Sequence, residues 1–194
     1  MNDEWYEQSK LNGPTGVDHN LKKDLVVDLG EVYKINTFVE TGTAHGDLTA
    51  HAARSHYDLV HTIEMQQEYY DFAKAKLSRF PYVFCHLGNS SDVLPKIVAE
   101  LDGASAVYFL DAHYSGPGTA RADVDTPIVE ELNTIGKGKN VIVIDDARLF
   151  GEMAFHTVDF ADYPDVTVLE KWAEDNDYSF SFVHDDFVLV SNQL

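Results

Sequence analysis

In Thr37-Phe38-Val39-Glu40-Thr41-Gly42-Thr43-Ala44-His45-Gly46-Asp47-Leu48-Thr49 a short apolar strand ends at Glu40, a tight turn carries Gly42 and Gly46, and a helix opens at about Asp47. Glycine at two turn positions permits a positive φ and lets a ligand approach the backbone with no Cβ in the way. A nucleotide-like cofactor is cradled in this manner. The helix start behind the turn offers backbone N–H groups to an anionic or carboxylate-bearing ligand. A dinucleotide fingerprint would need G-x-G-x-x-G, whereas Thr43, Ala44 and His45 separate these two glycines and Glu40 precedes the first.

Outward from this turn, apolar runs alternate with amphipathic ones. The strands predicted are Thr37–Glu40, Leu59–Glu64, Val83–Leu87, Ala106–Leu110 and Asn140–Ile144. Helices are expected from Asp47 to about Ser55, then at Glu68–Phe80, Ser91–Leu101 and Thr126–Ile135. Such alternation with short connections implies a parallel sheet covered by helices on both faces, and near-continuous apolar strands are what its centre needs. After Ala147 a loop leads to a helix, Val166–Asp175, and then to two strands, Ser179–Val183 and Phe187–Ser191, joined by His184-Asp185-Asp186. The fold expected is α/β: a Rossmann-like, doubly wound, mainly parallel seven-stranded sheet closed by an antiparallel C-terminal hairpin. Residues 1–36, with a turn at Asn12–Gly16 and an amphipathic stretch from Asp18 to Tyr33, flank this core. The 194 residues form one domain.

With 44% apolar and 12% aromatic residues the chain can bury a core. A formal net charge of −19 repels phosphate backbones and anionic membranes, which argues against nucleic acid as a substrate. No stretch is long and apolar enough to cross a membrane. The N-terminal Met-Asn-Asp-Glu-Trp-Tyr lacks the basic-then-apolar order of a signal peptide, and Cys85 is the single cysteine, set in an apolar run that suits a buried strand. A cytoplasmic location is expected.

In an open parallel sheet the ligand sits at the carboxyl ends of the strands, so the residues just after each apolar run carry the chemistry. The first end carries Glu40. The second carries Glu64, about 20 residues beyond the glycine turn, where a carboxylate can accept from two ribose hydroxyls, and Met65, which can pack on a purine face. The third, Gly88-Asn89-Ser90-Ser91, offers neutral donors and acceptors for an adenine edge, although Ser90 or Ser91 also suits a helix cap. The fourth ends in Asp111-Ala112-His113 and the fifth in Asp145-Asp146.

The pattern Glu-x-Gly-x-x-x-Gly resembles the first motif of class I S-adenosylmethionine-dependent methyltransferases. The resemblance covers about residues 37–194. It implies S-adenosylmethionine bound by Glu40, Gly42, Thr43, Gly46, Glu64, Met65, Asn89, Ser90 and Asp111. Thr62-Ile-Glu-Met, Gly88-Asn-Ser-Ser-Asp-Val-Leu-Pro and Phe109-Leu-Asp look like the catechol O-methyltransferase group, and the double aspartate resembles the macrocin-type sugar O-methyltransferases. Both groups use a metal, which implies Asp111, Asp145 and Asp146 as its ligands. Three carboxylates in one crevice repel one another unless a cation neutralises them, and oxygen ligands suit Mg²⁺, with Mn²⁺ or Ca²⁺ as alternatives.

The chain departs from both groups. Tyr114 stands where the catechol enzymes carry a catalytic lysine, and His113 where the sugar enzymes carry an acidic base. His113, titrating near neutrality, is therefore the candidate general base, beside Asp111. The loop Tyr114–Val124 is long enough for a lid, and Arg148 can bind an acidic substrate group or pair with a nearby carboxylate. The activity expected is a metal-assisted O-methyl transfer to a small molecule or a sugar, as a homodimer or within a longer multidomain chain. A metal-dependent hydrolase using the same carboxylates, or a non-catalytic cofactor-binding module, are the alternatives.

Overall fold

The computed structural model describes residues 19–112, 126–150 and 163–194. Helix α1 (His19–Tyr33) precedes β1 (Thr37–Thr41), α2 (Asp47–Ala52), β2 (Leu59–Glu64), α3 (Gln67–Leu77), β3 (Val83–Leu87), α4 (Ser90–Leu101), β4 (Val107–Leu110), α5 (Ile128–Ile135) and β5 (Val141–Ile144). A 3₁₀ turn, Ala147–Leu149, follows, then α6 (Val166–Asp175), β6 (Tyr178–Val183) and β7 (Asp186–Ser191).

These seven strands form one sheet in the order β3-β2-β1-β4-β5-β7-β6. The first five run parallel, and β7 lies antiparallel to both β5 and β6. The expected Rossmann-like α/β sheet with an antiparallel C-terminal hairpin is therefore the fold observed. Because the chain starts in the middle and winds first one way and then the other, the strand order reverses between β1 and β4. A crevice opens there above the carboxyl ends of the strands.

Successive residues of the central strands point to opposite faces, and each face has its own core. Phe38, Val107, Phe109, Val141 and Val143 pack with Val26 of α1, Ala52 and Tyr57. Val39, Tyr108, Leu110, Ile142 and Ile144 pack with Leu94, Ile97, Leu132 and Leu169 of α4, α5 and α6. Each such fully buried aliphatic contributes about 2 kcal/mol relative to an exposed one. Covered on both sides, β4 and β5 read as continuous apolar runs, while β1 is buried along its whole length although it carries Thr37, Glu40 and Thr41.

Three expectations are corrected at the edge of the sheet. Cys85 on edge strand β3 is half-buried, because that strand has a neighbour on one side only. Tyr69, Tyr70, Phe72 and Phe80, whose helical spacing reads as a core face, are not the buried face of α3: Ala73 and Leu77 are, seated over Gly46 and Ala50, while Phe80, beyond the helix end, packs partly buried against them and Phe72 is exposed. Asp186 is the first residue of β7 and fully buried, where a turn residue was expected. Among the described residues no helix is long and apolar enough to cross a membrane.

Candidate active site

The turn after β1 is held by its own backbone. The N–H groups of Gly42 and Thr43 both donate to the Ile63 carbonyl, at 3.0 and 3.1 Å, and Gly46 N–H donates to Thr43 O at 2.8 Å. Ala44 N–H donates to Glu64 Oε2 at 2.8 Å, while Gln66 N–H donates to Glu64 Oε1 at 2.8 Å. Glu64 thus braces the glycine turn against the end of β2. Four amides of the turn are thus taken up by Ile63, Glu64 and Thr43, and the N–H groups expected to meet a ligand are those of the helix start behind it. Gly42 has φ +84°, and a Cβ there would fall 2.6 Å from the carbonyl carbon of Asp111. The glycine lets β1 and β4 close on each other at the crevice.

Glu40 lies under the turn, accepting hydrogen bonds from Thr62 Oγ1 at 2.6 Å and from Thr49 Oγ1. Burial is the largest influence on it and pushes its pKa from the ordinary 4.5 up to about 7, against the two hydroxyl donors, which lower it. In the unfolded chain the group ionises above about pH 4.5, while in the fold it keeps its proton to about pH 7. It therefore weakens the fold progressively as pH rises through that window, by about 3 kcal/mol at the upper end. Glu40→Gln is expected to remove this dependence. Urea denaturation of both forms at pH 5 and pH 8 checks it: the stability difference, variant minus natural, should grow by about 3 kcal/mol between the two pH values, and no change would refute it.

A cavity of about 370 Å³ opens at the β1/β4 crevice. Glu40, Gly42, Thr43, Ala44, His45, Phe109, Asp111 and Asp145 line it, with Lys22 and Lys23 reaching in from α1. His45 is set edge-on to Tyr69 and Phe72, with ring centroids 5.0 and 5.4 Å apart.

Beside this cavity lies a knot of buried charge. Lys22, 4% exposed, directs its ammonium at three aspartates: Asp145, which it hydrogen-bonds, Asp146 at 3.0 Å and Asp186 at 3.6 Å. Arg148 pairs with Asp146 at 2.5 Å and with Asp185. Asp146 adopts a left-handed conformation, φ +53°, which turns the chain at the end of β5 and places Arg148 over the knot. Burial lowers the Lys22 pKa most, but the three aspartates together outweigh it and hold the ammonium charged. Burial first, then Asp145 and Asp146, raise Asp111 well above the carboxylate range. Burial and then Asp145 push Asp186 up to about 9.

No protein-family model matches the chain, and no curated protein does. Solved structures do. A candidate caffeoyl-CoA O-methyltransferase from Staphylococcus aureus aligns over 98% of this chain and 91% of its own, with TM-score 0.65 and 18% identity. The O-methyltransferase TomG from Streptomyces achromogenes, in complex with SAM, aligns over 99% and 91%, with TM-score 0.55 and 18% identity. The O-methyltransferase from Bacillus cereus, in complex with SAH, aligns over 97% and 90%, with TM-score 0.59 and 17% identity. The chain shares the fold of these methyltransferases.

On this methyltransferase fold the cavity gathers five of the residues singled out from sequence: Glu40, Gly42, Thr43, Asp111 and Asp145. Gly46, Glu64, Met65, Asn89, Ser90 and Asp146 are not on its lining. Gly46 packs beneath α3, and Met65 is exposed. Asn89, and not a serine, caps α4 by accepting from Ser91 N–H at 3.1 Å, while Ser90 Oγ is buried without a hydrogen-bond partner. His113 and the loop Tyr114–Val124 lie outside the described residues. Arg148 pairs with neighbouring carboxylates, the simpler of its two readings.

The implied metal ligands fare differently. Among the described residues no group of three or more His, Cys, Asp or Glu side chains is arranged to hold a metal ion. Asp145 and Asp146 face Lys22 and Arg148 instead, so that as they stand the carboxylates do not fit a divalent cation. Residues that the sequence reading did not single out complete this arrangement: Lys22, Asp185 and Asp186. Their signal was faint, since a Lys-Lys pair on an amphipathic helix reads as a solvated face and an Asp-Asp pair between strands reads as a turn.

Proposed function

We infer that the chain is an S-adenosylmethionine-dependent O-methyltransferase of the cytoplasm, acting on a hydroxyl of a small molecule or a sugar. The observation that carries this reading is the glycine turn at the strand-order reversal, which opens on a cavity with a buried glutamate in its floor. When bound, S-adenosylmethionine supplies an electrophilic methyl on a sulfonium. Glu40 and Asp111 line the cavity with carboxyls that burial pushes towards the protonated form, and a cofactor that carries an ammonium and a sulfonium would draw them towards the ionised form, while Gly42 lets it approach the backbone. Glu64 secures the turn through Ala44 N–H. His113 takes the acceptor hydroxyl proton as the oxygen attacks the methyl in line. Positioning two reactants in a cavity from which water is displaced supplies most of the rate. No step is routed through a metal, because the carboxylates that would hold one are paired with Lys22 and Arg148.

Calorimetric titration with S-adenosylhomocysteine tests the reading. The natural protein should bind it at one site, and Glu64→Ala, which releases Ala44 N–H from its brace, should weaken binding by about tenfold or more. Absence of binding to the natural protein would overturn the methyltransferase reading. With binding in hand, a panel of hydroxylated acceptors, sugars included, should yield a methylated product whose formation His113→Ala slows by about 10²-fold or more.

A further inference from the structure

We propose that Lys22 is the resident cation of this site, its ammonium standing where a divalent metal would have to sit and excluding one. Nζ touches Asp145 and Asp146, two of the three carboxylates implied as metal ligands, and lies 3.6 Å from Asp186. Both oxygens of Asp186 are buried with no hydrogen-bond partner, so Lys22 is the positive charge set against that side chain. A metal bound by Asp145 and Asp146 would be forced within a few ångströms of the ammonium. Like charges at that distance in a poorly screened interior repel strongly. Lys22 cannot swing clear cheaply, being buried on a helix pinned to the sheet by Val26 and by the Tyr57 hydroxyl, which donates to the Val26 carbonyl. Leaving would also strand buried Asp145 without its cationic partner, while Asp146 keeps Arg148.

The arrangement gives α1 a role. It delivers to the crevice, from more than 120 residues away in the chain, the charge that neutralises the ends of β5 and β7. An ammonium and a divalent ion are not equivalent there, because the ammonium donates hydrogen bonds along fixed directions and offers no open coordination position. The site is then indifferent to chelators. Lys23, half-buried on the same helix and also lining the cavity, does not contact the aspartates and is no substitute.

Titration of the full chain with MnCl₂, followed by calorimetry and by the paramagnetic signal of bound Mn²⁺, tests the proposal without reference to any activity. The natural protein and Lys22→Arg should take up no Mn²⁺ that depends on Asp145. Lys22→Met should gain one site at least about tenfold tighter than any in the natural protein, and Lys22→Met combined with Asp145→Asn should lose it. One Mn²⁺ bound by the natural protein and lost in Asp145→Asn would overturn the proposal, as would a Lys22→Met variant that folds and gains nothing. If Lys22→Met fails to fold, the comparison of the natural protein with Asp145→Asn decides alone, equal uptake supporting the proposal. S-adenosylhomocysteine binding by the same samples is read separately, so a failure of the cofactor reading is not confused with a failure of this one.

Discussion

Replacing Lys22 by Met should lower the free energy of unfolding by about 3–5 kcal/mol, because it removes the charge partner of buried carboxylates and leaves them uncompensated. The expectation rests on burial: Lys22, Asp145 and Asp186 are all close to fully enclosed, and water cannot take over the lost interaction. Lys23→Met, one residue along the same helix, should cost no more than about 0.5 kcal/mol, since that side chain is only half-buried and makes no ion pair with the knot. Urea unfolding of the two variants at neutral pH compares them directly. Equal losses would mean that charge removal on α1, and not the pairing of Lys22, sets the effect. Mn²⁺ at a concentration a hundred times its dissociation constant should return about 2.7 kcal/mol of the loss in Lys22→Met, and should do nothing for the natural protein.

Gly42→Ala should cost about 2–4 kcal/mol, from a left-handed backbone that alanine resists and from a Cβ driven into the main chain at Asp111. The neighbour in this case is backbone just past the end of central strand β4, held by the Asp111 N–H donating to Thr41 O, and cannot turn aside. Gly103→Ala provides the comparison, for Gly103 has almost the same φ, +81° against +84°, with nothing within 4 Å of the added methyl. It should cost about 1 kcal/mol, the conformational part alone. The difference between the two variants in denaturant unfolding measures the closeness of β1 to β4, and similar values for both would refute it. S-adenosylhomocysteine binding should be lost in Gly42→Ala and kept in Gly103→Ala, which lies outside the cavity.

The sheet was legible because each strand declares its own environment. Val141–Ile144 must be covered on both faces, whatever it pairs with, since four consecutive branched aliphatics have no solvated side. The glycine turn was legible for a similar reason: Gly42 and Gly46 both take positive φ, a requirement imposed within a few residues. The roles assigned around it were less so. Glu64 braces the turn through Ala44, a contact that composition cannot distinguish from a carboxylate waiting for a ligand.

The acidic knot shows where local information ends. The sequence by itself determined the order of elements, the parallel sheet with its closing hairpin, the crevice at the strand ends and the presence there of Glu40, Asp111 and Asp145, because hydrophobic period, turn chemistry and position at a strand end are properties of short stretches. Only the tertiary structure decided what neutralises the aspartates. Lys22 meets Asp145 across 123 positions of sequence, and Asp186 reaches the same point only because β7 inserts beside β5. Burying a charge demands a partner but does not say which one, and either a metal ion or a lysine ammonium can answer that demand until the path of the chain brings one of them there.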